Sequence, residues 1–492
     1  MRSPHTSEVP VLVVGAGPAG LAAALTLAHH GIEAAVIERR PGPPSLPRAT
    51  GVSTRTMELL RAWGVEEAVR AGANDVDWRL WWCETLAQAA DGWPVFVGLP
   101  TSEQSAVLSP TGPACVPQDH LEPVLEARLR ELGHPGVERG TELVSLDSSA
   151  DGVVAHLRAA SGEERRVRAA FVVGADGARS TVRGQLGIAM HGVERTDERI
   201  AALFHAPLWD VVGERRYGLY WATVAGGVAV LPAGLPDRWL LGTAWQPQEE
   251  RLEDYTEARM RALIRTAAGV PDLPLRIERI AAVEYAALVA ERYREERVFL
   301  VGDAAHRGSP RGGTGLNTAV HDAHDLGWRL AWVLRGWADA ALLDGYELER
   351  RPVAEHNVAP GADPNGSVSG AGDAIAADLG GRIPHLWVLD DGVRRSTLDL
   401  LGPGLTLFAS RGADRWAAAA EVVGTPPPLA VRRLEPLAAR ALGVAGRGAM
   451  LVREDGVPVA TWATDADAPA ALCRAVDDVT ALPAEALLVP AI

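Results

Sequence analysis

An apolar run, Val298 to Val301, stops abruptly at Gly302-Asp303. A loop built on Pro310, Gly312, Gly313 and Gly315 follows, and then a helical pattern opens. A strand that delivers a carboxylate into a glycine-rich turn can hold a polar cofactor beside the positive end of a helix. The chain also begins with VPVLVVGAGPAGLAAALTLA, a second strand, glycine turn and helix about 290 residues earlier. Two such units with the right chemistry in each point to one bound dinucleotide. They also require an α/β domain assembled from separated segments.

The first turn reads Gly15-x-Gly17-x-x-Gly20. Gly15 permits the tight turn, Gly17 lets the backbone approach a pyrophosphate, and Gly20 lets helix and strand pack closely. Glu38 ends the next strand about 20 residues on, where a carboxylate can accept from ribose hydroxyls. Asp303 suits the sugar-alcohol chain of a flavin, so the dinucleotide is read as FAD. The helix near Leu316 would aim its N-terminus at the flavin pyrimidine, where negative charge appears on reduction. For both Asp303 and Asp176-Gly177, the competing reading is a strand-to-helix turn capped by the aspartate.

The periodicity predicts strands at 9–14, 33–37, 153–157 and 166–173, and helices at 19–30, 54–63 and 119–131. Residues 76–117 read as strands and loops. Residues 187–284 alternate like an antiparallel sheet, interrupted by a helix at 252–267. A Gly/Pro/Ser-rich stretch at 361–373 marks a linker or exposed loop. Strand signals return at LTLFAS and AMLVRE.

Among 492 residues, 47% are hydrophobic and 23% charged, as in soluble globular proteins of two or three domains. The formal net charge of -15 argues against nucleic acid. All 48 basic residues are Arg, which excludes mechanisms needing a catalytic lysine, a flavin-dependent halogenase among them. Three scattered cysteines fit a reducing cytoplasm better than a disulfide framework. No run approaches a membrane span, and the N-terminal apolar stretch is broken by glycines, unlike a signal peptide. His120, His321, His324 and His385 lack ligand spacing, so no metal is expected. His306 could touch cofactor or substrate. Trp78, Trp81, Trp82, Tyr217, Tyr220 and Trp221 could line an aromatic cavity or fill the core of the middle sheet.

Three motifs occur in order: GAGPAG at 15–20, GADGARSTVR at 174–183 and GDAAHRGSPRGGTGLN at 302–317. With PRATGVSTRTMELLRAWG (47–64) and PQDHLEPVLEARLRE (117–131), they make the chain resemble class A FAD-dependent aromatic hydroxylases of the p-hydroxybenzoate and phenol hydroxylase type. GGRIPHLWVLDDGVRRSTLDLLGPGLTLFAS (380–410) and LVREDGVPVATW (451–462) resemble the C-terminal domain of the larger members, chlorophenol hydroxylases and polyketide-tailoring hydroxylases. The resemblance implies a Rossmann-like (GR2-type) FAD-binding domain in segments 1–75, 105–186 and 285–360. An antiparallel-sheet substrate domain is inserted at 76–104 and 187–284. A linker at 361–379 leads to a thioredoxin-like domain at 380–492, here without any CxxC pair.

By the same resemblance Glu38 would hold the adenosine ribose and Arg39 the adenine end. Arg48 and Gln118 would contact the pyrophosphate and ribityl region, and Asp303 the ribityl chain. Asp176 and Arg179 belong to the motif associated with FAD and NAD(P)H. Pro310, Gly312, Gly313, Gly315, Leu316 and Asn317 would line the flavin face where oxygen reacts, with no side-chain acid or base assigned. This chain departs from the family at Arg307-Gly308-Ser309, at Thr314 where Phe is frequent, and at Asp325 where Asn is usual. The implied activity is NADPH- or NADH- and O2-dependent hydroxylation of a phenolic substrate through a C4a-hydroperoxyflavin, with antibiotic polyketides as one substrate class. Baeyer–Villiger insertion, epoxidation and a non-catalytic flavin-binding role are the alternatives, and a homodimer is left open.

Overall fold

The computed structural model describes residues 6–42, 46–47, 49–95, 99–149, 151–310, 313–362, 371–423, 426–444 and 446–481. Arg48 and Gly312 lie outside these residues, as do 363–370 of the expected linker.

Near-continuous Val and Leu in Thr6–Val14 (β1) suit a strand covered on both faces. Its neighbours in one sheet run in the order Arg294–Glu295 (β16), Val298–Leu300 (β17), Glu164–Gly174 (β10), β1, Ala34–Glu38 (β2) and Val137–Arg139 (β7). From β17 to β7 the pairing is parallel. Gly152–Ala159 (β9) pairs antiparallel with the first half of β10, and Thr141–Ser149 (β8) pairs antiparallel with β9. Helices Pro18–His29 (α1), Gln118–Glu131 (α5) and Gly315–Leu334 (α9) contribute to the core that covers it. Thr181–Gln185 (α6) follows β10.

A second eight-stranded sheet has the order His306–Arg307 (β18), Arg276–Ala290 (β15), Met190–His205 (β11), Arg238–Ala244 (β14), Val228–Gly234 (β13), Tyr217–Ala222 (β12), Asp77–Cys83 (β4) and Trp93–Val95 (β5). Leu208–Val212 (α7) and Glu257–Ala268 (α8) close one face of it over a core containing Tyr220, Trp239 and Leu241. A short pair, Gly51–Val52 (β3) with Ala114–Cys115 (β6), precedes Thr54–Ala62 (α2) and α5 respectively. Glu66–Arg70 (α3) follows α2.

Asp344–Ala362 (α10) and Ala371–Leu379 (α11) lead to a hairpin, Trp387–Asp390 (β19) with Val393–Ser396 (β20). A four-stranded sheet follows, ordered Leu429–Leu434 (β22), Leu405–Ser410 (β21), Ala449–Val452 (β23) and Pro458–Trp462 (β24). Asp414–Val423 (α12) and Ala468–Ala481 (α14) pack together beside it, and Pro436–Ala441 (α13) follows β22. Trp328 and Trp332 of α9 sit in the same core as Leu405, Leu407 and Trp416. The C-terminal region therefore completes its core with side chains from the cofactor side.

Three expectations need correction. The helix expected at 252–267 is split. Leu252–Asp254 is a 3-10 turn, and α8 starts afresh at Glu257 because Thr256 caps it by accepting from the Arg259 N–H. The expected strands and loops of 76–117 include a helix, Ser102–Leu108 (α4), opened by a Thr101/Gln104 capping box. The loop expected at 361–373 is flanked by helix: α10 reaches Ala362 and α11 starts at Ala371.

Candidate active site

The three glycine turns meet at the C-terminal ends of the adjacent parallel strands β1, β10 and β17. Val14 is in register with Gly174, and Gly174 with Leu300. The Ala175 N–H donates to the Val14 carbonyl at 2.8 Å, and the Val301 N–H to that of Gly174 at 3.0 Å. Gly15 has φ +106°, and a Cβ there would lie 2.3 Å from the Ala175 oxygen. A Cβ on Gly20 would lie 1.9 Å from the Gly15 oxygen. Gly302 has φ +60° and is wedged between helices: its Cβ would fall 2.9 Å from Ala319 of α9 and 3.1 Å from Ala19 of α1. Arg183 adds a tie by donating to the Ala304 carbonyl at 2.9 Å. Gly15 and Gly20 are needed because backbones touch, and Gly302 because the alanine methyls of two helices press on it.

Gly17 is different. A Cβ there meets nothing within 4 Å, and it N-caps α1 without a side-chain cap. The first N–H groups of α1 therefore face space that a phosphate fits. Glu38 is buried beside them. Its carboxylate accepts from the N–H of Ala16 at 3.0 Å and from the N–H and Nε of Arg40 at 2.8 and 3.1 Å. Burial opposes its ionisation, but these donors outweigh it and hold the carboxyl below its usual value. Arg40, which sequence reasoning missed, is thus the cation paired with Glu38; Arg39 is exposed.

Asn317, buried at the start of α9, is a clamp. Its Oδ1 accepts from the Ser53 N–H at 2.8 Å and Thr56 Oγ1 at 2.9 Å, and its Nδ2 donates to Gly51 at 3.2 Å and Gly313 at 2.8 Å. It joins β3, α2 and the glycine loop, leaving its side chain fully committed. Gly313, φ +64°, donates to the exposed Pro310 carbonyl at 3.0 Å. Thr314 caps α9 without a side-chain bond, so the N–H groups from Gly315 through Leu316 to Asn317 remain for a ligand. Gln118 opens α5, donating its N–H to Ala49 and its Nε2 to Glu122 at 2.7 Å. Asp303 is half-buried in the turn after β17.

Other candidates are spoken for by the protein. Asp176 accepts from Ser180 Oγ and from the N–H groups of Thr181 and Val182, which is the capping arrangement. Arg179 beside it is exposed. His306 turns inward, with Nε2 at 2.6 Å from the fully buried Asp322, which also pairs with Arg350 at 2.8 Å. His321 meets Thr56 Oγ1 at 3.0 Å, and burial pushes its pKa well down. The aromatic set divides by strand face. Trp81 stacks on Tyr217 at 4.3 Å, and Tyr220 is core, whereas Trp82 and Trp221 stack on the opposite face. Trp78 packs with Leu99 and Cys115. Among the described residues, Asp325, Glu349 and Asp455 bring carboxylates within 4.8 Å of one another, but Arg329 and Arg453 already bridge them.

A family model described as an FAD binding domain matches residues 8–360. A tetracenomycin A2 monooxygenase-dioxygenase of Streptomyces glaucescens is 36% identical over 92% of this chain and 93% of its own length. The chain belongs to the FAD-dependent aromatic hydroxylases. An aklavinone 12-hydroxylase of Streptomyces purpurascens is 37% identical to this hydroxylase, covering 93% of this chain and 96% of the relative. The solved ternary complex of aklavinone-11 hydroxylase with FAD and aklavinone superposes with a TM-score of 0.87 at 34% identity, covering 97% and 99%. The hydroxylase is accordingly a mixed α/β flavoprotein monooxygenase, and non-catalytic flavin binding is not favoured. Among the described residues no helix is long and apolar enough to cross a membrane.

Proposed function

We propose that this hydroxylase inserts one oxygen atom of O2 into a phenolic, multi-ring polyketide, with NADPH or NADH as reductant. The observation that carries the reading is the meeting of Gly15, Gly174 and Gly302 at the C-terminal ends of three adjacent strands, with open space above Gly17 and two uncapped helix starts. Those features fit a dinucleotide with a redox ring at its far end. The polyketide part rests on the names of the relatives.

When bound, FAD supplies the oxygen-activating chemistry. The chain's own residues do the rest. The N–H groups at the start of α1 would hold the pyrophosphate, and Glu38 the adenosine ribose, with Arg39 near the adenine. Gln118 and Arg48 would flank the pyrophosphate and ribityl region, and Asp303 would accept from the ribityl hydroxyls. Asp176 orders the second turn from its capping position, and Arg179 beside it is free to meet the nicotinamide nucleotide. The start of α9 would place positive potential at the pyrimidine of the flavin, and the Pro310–Gly313 loop would exclude water from the reacting face.

The reading includes the division into a GR2-type cofactor domain, an inserted substrate domain and a thioredoxin-like C-terminal domain at the boundaries given above. The separate eight-stranded and four-stranded sheets support it. β15 runs on to Ala290 and β18 rejoins it, which draws the substrate sheet past residue 284. A cytoplasmic location belongs to the same reading: burial pushes the Cys83 and Cys115 thiols up to about 11 and 12 and leaves them unpaired.

The test is the visible spectrum of the purified protein, followed by NAD(P)H oxidation and product mass with a panel of phenols. A flavin spectrum and a product heavier by one oxygen are expected. A protein that stays colourless with added FAD refutes the reading.

A further inference from the structure

Strands β12, β13 and β14 alternate between buried and half-exposed residues. One set, including Tyr220, Val230, Trp239 and Leu241, fills the core under α7 and α8. The opposite set, including Leu219, Trp221, Ala229, Leu231, Leu240 and Gly242, is equally apolar but half-exposed. A sheet face of that composition left open needs an occupant.

Register arranges this face into a row. Trp82 lies beside Trp221, Trp221 beside Ala229, Ala229 beside Gly242, Gly242 beside Ala201, and Ala201 beside Ala281. The four small residues span three strand spacings, ~14 Å. Trp221 and Trp82, stacked 6.0 Å apart, wall one end. Leu231 and Leu240 are register neighbours along one side. Arg199 stands on the other, its Cζ 5.6 Å from the Trp221 ring centre and its Nε 2.7 Å from Asp197.

Gly242 shows that this trough is open. A mid-strand glycine usually admits a neighbour's close approach. Gly174 and Gly218 do so here, since a Cβ on them would lie 2.7 Å from Val182 and 3.0 Å from Trp78. A Cβ on Gly242 would meet no atom within 4 Å. The same sheet is joined to the cofactor side at both ends. β18, paired with β15, runs into Ser309 and Pro310. At the other end Arg238 pairs with Asp119 at 2.7 Å, one residue after Gln118.

We propose that Gly242 is a specificity-determining residue, the floor of a trough shaped for a planar fused-ring aromatic substrate whose anionic oxygen lies toward Arg199. The proposal deepens the hydroxylase reading and rests on it for the reaction, but not for binding. A flat ring system covers the small residues, meets Trp221 at one end and removes apolar surface from water. A guanidinium with one carboxylate partner and an aromatic face beneath it retains donors for a phenolate or carboxylate.

The experiment uses the FAD-loaded full chain and 1,8-dihydroxyanthraquinone as a three-ring probe, with affinity read from tryptophan quenching. Saturable binding is expected in the wild type. Gly242→Leu should weaken it at least tenfold and Gly242→Ala by less. Ala282→Leu, the same bulk at an exposed site on the opposite face of the sheet, should leave it unchanged. Arg199→Gln should weaken anthraquinone-2-carboxylate more than unsubstituted anthraquinone. Unaltered binding by Gly242→Leu, an equal loss in Ala282→Leu, or no saturable binding by the wild type would overturn the proposal. Flavin content and product mass are read separately. A chain that binds the probe through Gly242 yet forms no product refutes the reaction and leaves the trough standing.

Discussion

Asp325→Asn should stabilise the protein at pH 8 and not at pH 5. Asp325, Glu349 and Asp455 share a buried cluster with Arg329 and Arg453. Three carboxylates against two guanidiniums leave one negative charge too many in a place with little water. Burial pushes Asp325 from 3.8 up to about 6, while Arg329 and Arg453 outweigh burial at Glu349 and hold it low. An acid whose folded pKa is raised costs nothing below its unfolded pKa. The cost builds up as pH rises from the unfolded value of 3.8 to the folded value of about 6 and is constant above it. A rise of about two units corresponds to ~3 kcal/mol at pH 8. Asn retains an oxygen for Arg329 but loses a charge-assisted bond, offsetting ~1–2 kcal/mol. The net expectation is a gain of ~1–2 kcal/mol at pH 8, with none or a small loss at pH 5. Urea midpoints at the two pH values measure it. A variant less stable than wild type by the same amount at both would refute the argument. Asn is also the residue usual here in the resembled family, so the exchange is sterically mild.

Asp303→Ala should lower FAD retention on gel filtration by about tenfold or more, the loss of a charged hydrogen-bond acceptor; unchanged flavin content would contradict its role. Gly20→Ala should cost ~3 kcal/mol or more, since its Cβ would overlap the Gly15 carbonyl; a wild-type melting temperature with full flavin would contradict the packing. Glu58 is buried between Arg55 and Arg382, which outweigh burial and hold its carboxyl low. Its contribution is present above an unfolded pKa of 4.5 and is lost as pH falls below that through the lower folded value. Glu58→Gln should therefore cost ~3 kcal/mol at pH 7 and progressively less in acid, as read from denaturation curves.

The cofactor strands and their turns were legible because their signals are local. Each glycine stands in a short strand–turn–helix pattern that can be read on its own, although only Gly20 answers to a nearby group, the Gly15 carbonyl; Gly15 answers to Ala175, and Gly302 to Ala319 and Ala19. The capping box at Thr101 was equally local and could have revealed α4. What stayed hidden was long-range. Nothing near Asn317 announces that Ser53 and Thr56 will satisfy it, or near His306 that Asp322 and Arg350 will draw it inward. The aromatic cluster failed as a group for the same reason. Its members alternate along strands, so half had to face the α7/α8 core, and only register reveals Gly242 between Trp221 and Ala201.

The most direct test of the central claim, that the three turns hold one flavin which activates oxygen for transfer to an aromatic ring, is turnover of a phenolic substrate under isotopically labelled O2. One flavin per chain and one labelled oxygen atom in the product are expected. Product oxygen drawn from water, or consumption of NAD(P)H with no labelled product from any phenol in the panel, would contradict the account.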